Sequence, residues 1–465
     1  MQGRSPLSFS EYLNTLKGKR VTVVGAGISN KPLIEALLSA QIETTVCDKQ
    51  TRDEMGESAK RFERLGANLR LGTDYLSDID ADVIFRTPGL MPTDPALVEA
   101  VRRGAALTSE TEVFFDVCPC KTIAVTGSDG KTTTTSIIAE ILRREGRTVH
   151  IGGNIGTPLL CKADEMKPGD TAVLELSSFQ LITMKRSPDI AVVTNVSPNH
   201  LDVHRDMEEY VEAKRNIFNH QNRSGRAVFN LDNDYSRAFS DSAPGEVLFF
   251  SRHNTAGDGV YLKNGTISEA ADGKSGSIMN ADEIFLPGAH NIENFMAAFA
   301  AVRGLASRGS MVETARTFRG VAHRIEFIRE LRGVRFYNDS IASSPTRTIA
   351  GLKAFNQKVI LIAGGKDKGV AFDGLGAEIV SHVKTLVLTG PTAETIFGAV
   401  ENAPGYNGAP ETFICGDFTD AVLTAAESAR AGDAVLLSPA CTSFDRFKNF
   451  EERGELFRKI VEGLV

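Results

Sequence analysis

No run of apolar residues in this chain is long enough to cross a bilayer, and the opening MQGRSPLSFSEYLNTLKGKR has no apolar segment behind a basic start. A cytoplasmic location is the expectation. Paired cysteines are also missing. Six cysteines are scattered over 465 residues and only Cys118 and Cys120 stand close together, which makes neither a disulfide framework nor a zinc pattern. Reduced thiols are expected. There is no long block of like charge, and 52 basic against 59 acidic side chains leave a net charge of −7. Nucleic acid and membrane insertion are therefore not expected. A small anionic substrate remains open, because lysines and helix N-termini concentrate positive potential locally whatever the global charge. Fixed-period repeats and low-complexity tracts are absent as well.

What is present is the composition of a folded globular chain, with 42% apolar and 24% charged residues. The length exceeds what one core usually serves, so three domains are expected. Strand-like runs (VTVVGAG, ETTVCD, DVIFRTPG, KTIAVTG, TAVLELS, IAVVTNV, VILIAGG, TLVLTG, AVLLSP) alternate with helical stretches from end to end. That rhythm argues for an α/β fold on mostly parallel sheets. The expected divisions are 1–107, 108–321 and 322–465. A stretch from about Ser240 to Ala281, rich in Gly, Asn, Asp and Ser, reads as a strand-and-turn excursion from the middle segment without chemistry of its own.

Four groups of residues carry chemistry. Gly25, Gly27, Ile28, Ser29 and Asn30 follow a strand and open a helix, with Asp48 ending the next strand. This is a fragment of the dinucleotide fingerprint, but Asn30 stands where the third glycine belongs. A nucleotide moiety such as UDP suits the amides of Gly27 to Ser29 better than NAD; a glycine turn that merely packs is the plain alternative. More specific is the run Thr126, Gly127, Ser128, Asp129, Gly130, Lys131, Thr132, Thr133 between a strand and a helix. Glycines let the amides wrap phosphate, Lys131 supplies a charge to it, and Thr132 offers a hydroxyl to Mg²⁺, so ATP or GTP binding is expected. Glu175 ends an apolar strand, where a lone carboxylate is costly and a metal ion is a natural partner. His200, Asp202 and His204 follow another strand, and Lys214 lies on the next helix. Taken alone, Lys214 reads as a solvated surface lysine and His204 as a loop residue.

Together these motifs resemble the Mur ligase family: the short loop GSDGKTT, GGNIG (152–156), ELSSFQL (175–181), NVSPNHLDVH (195–204), YVEAK (210–214), GAHNIEN (288–294), GVAHRIE (320–326) and NDS (338–340). The match runs nearly end to end. It implies a Rossmann-like N-terminal domain that binds a UDP substrate, a central P-loop ATPase-like domain, and a Rossmann-like C-terminal domain for the amino acid. The run LSPACTSFDRFKNFEERG (437–454) most resembles members that add D-glutamate, while the Asp-Asn-Pro-Arg motif of the diaminopimelate- or lysine-adding members is absent; GGKDKG (364–369) stands there instead.

The resemblance implies an ADP-forming reaction in which UDP-N-acetylmuramoyl-L-alanine is phosphorylated on its carboxylate and the resulting acyl phosphate is attacked by the amine of D-glutamate. Its catalytic set maps to Lys131, Glu175, His200 and Lys214. ATP contacts map to Gly127 through Thr133 with Asn291 and Asn294, which would open the helix ENFMAAFAAVRG, and to Arg324 and Asp339. The UDP-substrate set is Gly27, Ile28, Ser29, Asp48, Gly89, Asn154, Ser177, Gln180 and His200, and the D-glutamate set Lys368, Ser443 and Phe450, with Ser343 as a further candidate. Two Mg²⁺ ions are implied, held through Thr132, Glu175, His200 and Lys214, the last carbamylated by CO₂. His323 reads equally as a nucleotide-side residue and as hinge packing. One departure stands out: Ile341 occupies the place of a family lysine, with Arg347 as a candidate substitute. A monomer is expected. Another Mur-type or folylpolyglutamate-type ligase, or a nucleotide-driven switch that hydrolyses ATP without making an amide, are the alternatives.

Overall fold

The computed structural model describes residues 7–201, 203–367 and 369–465, so Asp202 and the expected glutamate ligand Lys368 lie outside the described residues. The fold is α/β, in two compact units. One contains the described residues up to Ala281 with Glu293–Thr314, and the other Asp282–Ile292 with Ala315–Val465.

The first unit carries two sheets. In the first, β1 (Val21–Val24), β2 (Thr44–Asp48), β3 (Asn68–Leu71), β4 (Val83–Arg86) and β5 (Ala106–Thr108) are all parallel in the order β3-β2-β1-β4-β5. Strands β1 and β4 are buried along their whole length, which is why they read as unbroken apolar runs. The crossover helix Lys31–Ser39 has Pro32 in its first turn and buries Leu33, Ile34, Leu37 and Leu38, an i, i+1, i+4, i+5 stripe. Chain order reverses between β1 and β4, so the loops after those strands lie side by side and form a crevice at their carboxyl ends.

The second sheet has nine strands: β6 (Lys121–Thr126), β7 (Val149–Gly153), β8 (Thr171–Glu175), β9 (Ile190–Val193), β10 (Arg226–Asn230), β11 (Glu246–Ser251), β12 (Gly259–Lys263), β13 (Thr266–Ala271) and β14 (Lys274–Asn280). Their order is β14-β13-β12-β11-β10-β9-β6-β8-β7. Strands β7 to β12 and β6 pair in parallel, while β12-β13-β14 form an antiparallel meander. The stretch expected to be an excursion is thus a continuation of the sheet. Its two tight turns are Asn264-Gly265 and Asp272-Gly273, with positive φ at all four residues, as two-residue hairpins demand. One continuous apolar cluster runs beneath both sheets of this unit, from Phe9 and Val46 to Leu174 and Phe229.

The second unit holds β15 (Glu326–Leu331), β16 (Val334–Asn338), β17 (Val359–Ala363), β18 (Val383–Thr389), β19 (Glu411–Cys415) and β20 (Ala434–Leu437), in the order β15-β16-β20-β17-β18-β19. Only β15 is antiparallel to its neighbour. Alternate residues feed two cores: Leu361, Leu386 and Leu436 face one, and Ile360, Ile362 and Val435 the other.

Strand β5 runs Ala106–Thr108, at the expected first division, and the helix whose first turns hold Asn291 and Asn294 begins at Ala289. Among the described residues no helix is long and apolar enough to cross a membrane. All six cysteines are free; the Cys118 and Cys120 sulfurs are 3.5 Å apart.

Candidate active site

Strand β6 lies between β8 and β9, with Val125 opposite Glu175 and Thr126 opposite Val193. The segments leaving these three carboxyl ends therefore converge. From β6 comes the glycine loop, from β8 the Glu175 carboxylate, and from β9 the segment 194–204.

The loop is shaped by its glycines. Gly127 has φ +152° and a Cβ there would lie 1.9 Å from Thr194 Oγ1; Gly130 has φ +78° and a Cβ would lie 2.3 Å from Asn294 Oδ1. Side chains from the β9 segment hold the loop open. Asn195 Oδ1 accepts from the Asp129 amide at 2.9 Å, and the Thr194 hydroxyl donates to the Asp129 carbonyl at 2.5 Å. Ser128 Oγ donates to the Ser197 carbonyl at 2.9 Å and lies 3.0 Å from the Tyr210 hydroxyl. Lys131 starts the helix Lys131–Arg144 and folds back over the loop, its Nζ donating to the carbonyls of Gly127 (2.9 Å) and Ser128 (2.8 Å).

Glu175 is 2% exposed, and its two oxygens accept from Thr132 Oγ1 at 2.6 Å and Asn154 Nδ2 at 2.8 Å. No arginine or lysine makes a salt bridge to it in the described structure, so this buried carboxylate is satisfied by neutral donors. Thr132 and Glu175 thereby present a hydroxyl and a carboxylate side by side, the oxygen pair suited to Mg²⁺ with the rest of its shell from phosphate and water. The residues present fit the ion in that respect. Among the described residues no group of three or more His, Cys, Asp and Glu side chains is arranged to hold a metal.

Lys214, on the helix Met207–Asn219, is not on the surface: it is 1% exposed. Its Nζ donates to the Gly127 carbonyl at 2.9 Å and to Thr126 Oγ1 at 3.5 Å, and stands 4.6 Å from the centre of the Tyr210 ring. Burial first, and the neighbouring charge of Lys131 second, hold this amine well below the usual lysine range. His204 is buried too. Its Nε2 meets Ser178 Oγ at 2.9 Å and its Nδ1 meets Glu209 at 3.3 Å, while its ring stacks on Phe179. His200 sits at φ +56° with its ring edge-on to Phe179 at 5.2 Å. Ser177 and Gln180 form a reciprocal capping box on the short helix Ser178–Leu181, and Gln180 Nε2 also reaches Thr111.

In the first sheet, Asp48 ties down the loop after β1 by accepting from the Ala26 amide at 2.7 Å. Asn30 donates to the carbonyls of Val24 and Gly25, filling the place where a glycine would let the helix approach. Gly27 and Gly89 face open space, and Ile28 is 82% exposed. Gly27, Ile28 and Gly89 thus form a solvent-facing rim, while Gly25 is a packing glycine.

In the second unit, Asp339 is buried, with 4% of its surface exposed. Burial raises its carboxyl to about 7 against the opposing effects of Ser438 and of Arg324. Ser438 Oγ donates to it at 2.8 Å and the Ile325 amide at 3.3 Å. His323, at φ +62°, pairs with Asn338 at 3.0 Å and meets the Phe450 ring edge-on, closely enough that a Cβ on Gly454 would lie 2.2 Å from its Nδ1. Arg347 donates to the Ile341 carbonyl at 3.3 Å. Ser443 is buried, its carbonyl accepting from the Arg446 and Phe447 amides. Burial pushes the Cys441 thiol up to about 11, so it is a packing group at neutral pH. The fork of Arg453 joins Ser340 to the Cys441 carbonyl.

Sequence reasoning missed Arg453, Tyr210, the Thr194 and Asn195 pair, and Arg86. For Arg86 the signal was available, since a charge ending an apolar strand had singled out Glu175.

Residues 125–302 match the Mur ligase middle domain and residues 323–441 the Mur ligase, glutamate ligase domain. The chain is 48% identical over 458 residues to the UDP-N-acetylmuramoylalanine--D-glutamate ligase of Ruminiclostridium cellulolyticum, covering 98% of both chains. It is 46% identical to the protein of the same name from Clostridium perfringens, covering 98% of this chain and 99% of that one. Among solved structures, UDP-N-acetylmuramate-alanine ligase from Thermotoga maritima shares the fold at TM-score 0.56 and 16% identity, over 96% of this chain and 99% of that one.

Proposed function

From the premise that the chain belongs to the Mur ligase family, we propose that it joins D-glutamate to UDP-N-acetylmuramoyl-L-alanine at the expense of ATP, in the cytoplasm and as a monomer. The observation that carries this reading is the 48% identity to a relative of that name across 98% of both chains. The functional divisions proposed are 1–107 for the UDP substrate, 108–321 for ATP and 322–465 for the amino acid.

The proposed chemistry follows from bringing anions together. A carboxylate oxygen of the muramoyl-alanine attacks the γ-phosphorus of ATP and ADP leaves; the amine of D-glutamate then attacks the acyl phosphate carbon, and inorganic phosphate leaves as the nitrogen gives up a proton. Two anions meet in the first step, so positive charge must be concentrated there. Lys131 and the amides that open the helix, from Lys131 to Thr133, are proposed to supply it. Thr132 and Glu175 are proposed to hold Mg²⁺, which when bound screens the phosphate charge. Asn291, Asn294, Arg324 and Asp339 are proposed nucleotide contacts on the strength of their motifs. Gly27, Ile28, Ser29, Asp48 and Gly89 are proposed for the UDP end, and Asn154, Ser177, Gln180 and His200 for the muramoyl-alanine. Lys368, Ser443 and Phe450 are proposed for D-glutamate.

Lys214 is proposed to be carbamylated and, with His200, to serve a second Mg²⁺. Carbamate formation requires a neutral amine, and burial of Lys214 favours that form. The product exchanges a buried positive charge for a negative one beside the loop. A ¹³C-carbonyl resonance from labelled bicarbonate, absent in Lys214→Arg, is the expected signature; its absence from active wild-type protein would overturn the assignment.

Phosphate release from ATP and Mg²⁺ with UDP-N-acetylmuramoyl-L-alanine tests the reaction, with D-glutamate, L-glutamate, L-alanine, L-lysine or no amine in parallel. Release that depends on D-glutamate is expected. Dependence on another amine would reassign the chain within the family, and release without any co-substrate would favour a nucleotide-driven switch.

A further inference from the structure

Arg86 ends β4, a strand otherwise made of Val83, Ile84 and Phe85, and is 1% exposed. None of the motifs by which the chain resembles the Mur ligases, from GSDGKTT to LSPACTSFDRFKNFEERG, includes it. A buried guanidinium has to recover its hydration from protein acceptors, and the two Nη groups of Arg86 do so from two separate segments, while its Nε has no partner. Its Nη1 donates to the carbonyls of Thr87 (3.3 Å), Pro88 (3.3 Å) and Leu90 (2.6 Å), encircling Gly89. Its Nη2 donates to the Phe179 carbonyl at 2.7 Å and to Thr183 Oγ1 at 3.3 Å. One side chain thus joins a loop of the first sheet to the helix Ser178–Leu181 of the second.

Both segments extend the connection. Thr87 donates its amide to the Val24 carbonyl at 3.0 Å, and its side chain packs so closely on Gly25 that a Cβ there would lie 2.8 Å away. On the other side Phe179 carries the rings of His200 and His204. The glycine loop 127–133, by contrast, is held by Thr194, Asn195, Ser197 and Tyr210, with no bond to Arg86.

We propose that Arg86 is a positioning residue for the UDP-sugar peptide, fixing the separation between the rim that receives its nucleotide end and the helix that receives its carboxylate end. The inference rests on the proposed reaction. A substrate gripped at both ends binds fully only when the two grips have the right spacing, so an error in spacing weakens that substrate and leaves ATP and D-glutamate nearly untouched. The fork geometry is required: a guanidinium presents five donors in a plane, whereas a lysine ammonium has three at one point and cannot serve both segments.

The test is steady-state kinetics of wild type, Arg86→Met and Arg86→Lys with each of the three substrates varied in turn. Wild type comes first; failure to form product from UDP-N-acetylmuramoyl-L-alanine would sink the proposed reaction rather than the role of Arg86. In Arg86→Met the KM for the UDP-sugar peptide should rise roughly tenfold or more, with the KM values for ATP and D-glutamate within about twofold. Arg86→Lys should show a smaller rise of the same selectivity, and it carries the test alone should the Met variant not fold. A merely structural role would lower stability or kcat and move all three KM values together, and that outcome, or an unchanged KM for the UDP-sugar peptide, overturns the proposal.

Discussion

Replacing Asp339 by asparagine should change the pH dependence of folding. The carboxyl faces two hydrogen-bond donors, from Ser438 and Ile325, and the charges of Arg324 and Arg347, all of which favour its ionised form. Burial outweighs them and raises it from 3.8 to about 7. A raised carboxyl binds its proton more tightly in the folded chain than in the unfolded one. Its contribution to stability is therefore complete below pH 4 and is lost as pH rises toward 7, at up to about 1.4 kcal/mol per pH unit. The full span corresponds to on the order of 4 kcal/mol. Asparagine keeps an acceptor and a donor in place and does not titrate in this range. Thermal unfolding of wild type and Asp339→Asn, followed in parallel from pH 5 to pH 7.5, should show wild type losing roughly 5–10 °C relative to the variant, at a few degrees per kcal/mol. The difference cancels titrations common to both. Parallel profiles would refute the reasoning, because they would mean that the arginines or solvent keep Asp339 ionised throughout.

Gly153→Ala places a Cβ 2.1 Å from the Glu175 carbonyl at φ +86°, which costs about 1–2 kcal/mol for the backbone alone and displaces the acceptor of the Asn154 amide; equilibrium unfolding and ATP turnover should both fall. Lys214→Met should abolish ligation yet, in buffer stripped of CO₂, raise the unfolding temperature at pH 7. Its amine is depressed by burial, so protonation opposes folding below the unfolded value of 10.5, and the gap should close as pH approaches 10. Lys368→Ala should raise the KM for D-glutamate far more than that for ATP, and an equal effect on both would contradict its assignment.

Most strands buried on both faces were legible in the sequence because uninterrupted apolar runs have few other uses: β1, β2, β4, β6, β8, β9, β17, β18 and β20 all correspond to such runs, whereas the buried β10 was not among them. The half-exposed edge strands were not, since Asn68–Leu71 and Glu411–Cys415 have weaker patterns and take their shape from the neighbour they pair with. The glycine loop and Glu175 were readable from local chemistry. Burial of Lys214 was not, because nothing in YVEAK reveals that the helix turns this residue toward β6. Arg453 was hidden differently: a charge on the amphipathic helix Phe450–Gly463 looks solvated until the helix is docked.

The back-folded Lys131 has a consequence for measurements of nucleotide affinity. Its ammonium has the carbonyls of Gly127 and Ser128 as acceptors within the chain itself. An incoming triphosphate therefore exchanges one set of acceptors for another rather than recruiting a freely rotating, fully hydrated cation. Most of the side-chain entropy, roughly 2 kcal/mol for a lysine, is given up during folding rather than during binding. An alanine in its place would leave the Ser128 carbonyl without that partner and the Gly127 carbonyl with Lys214 alone, so the loss in affinity on truncation contains a repulsive part that no contact in the bound complex would reveal.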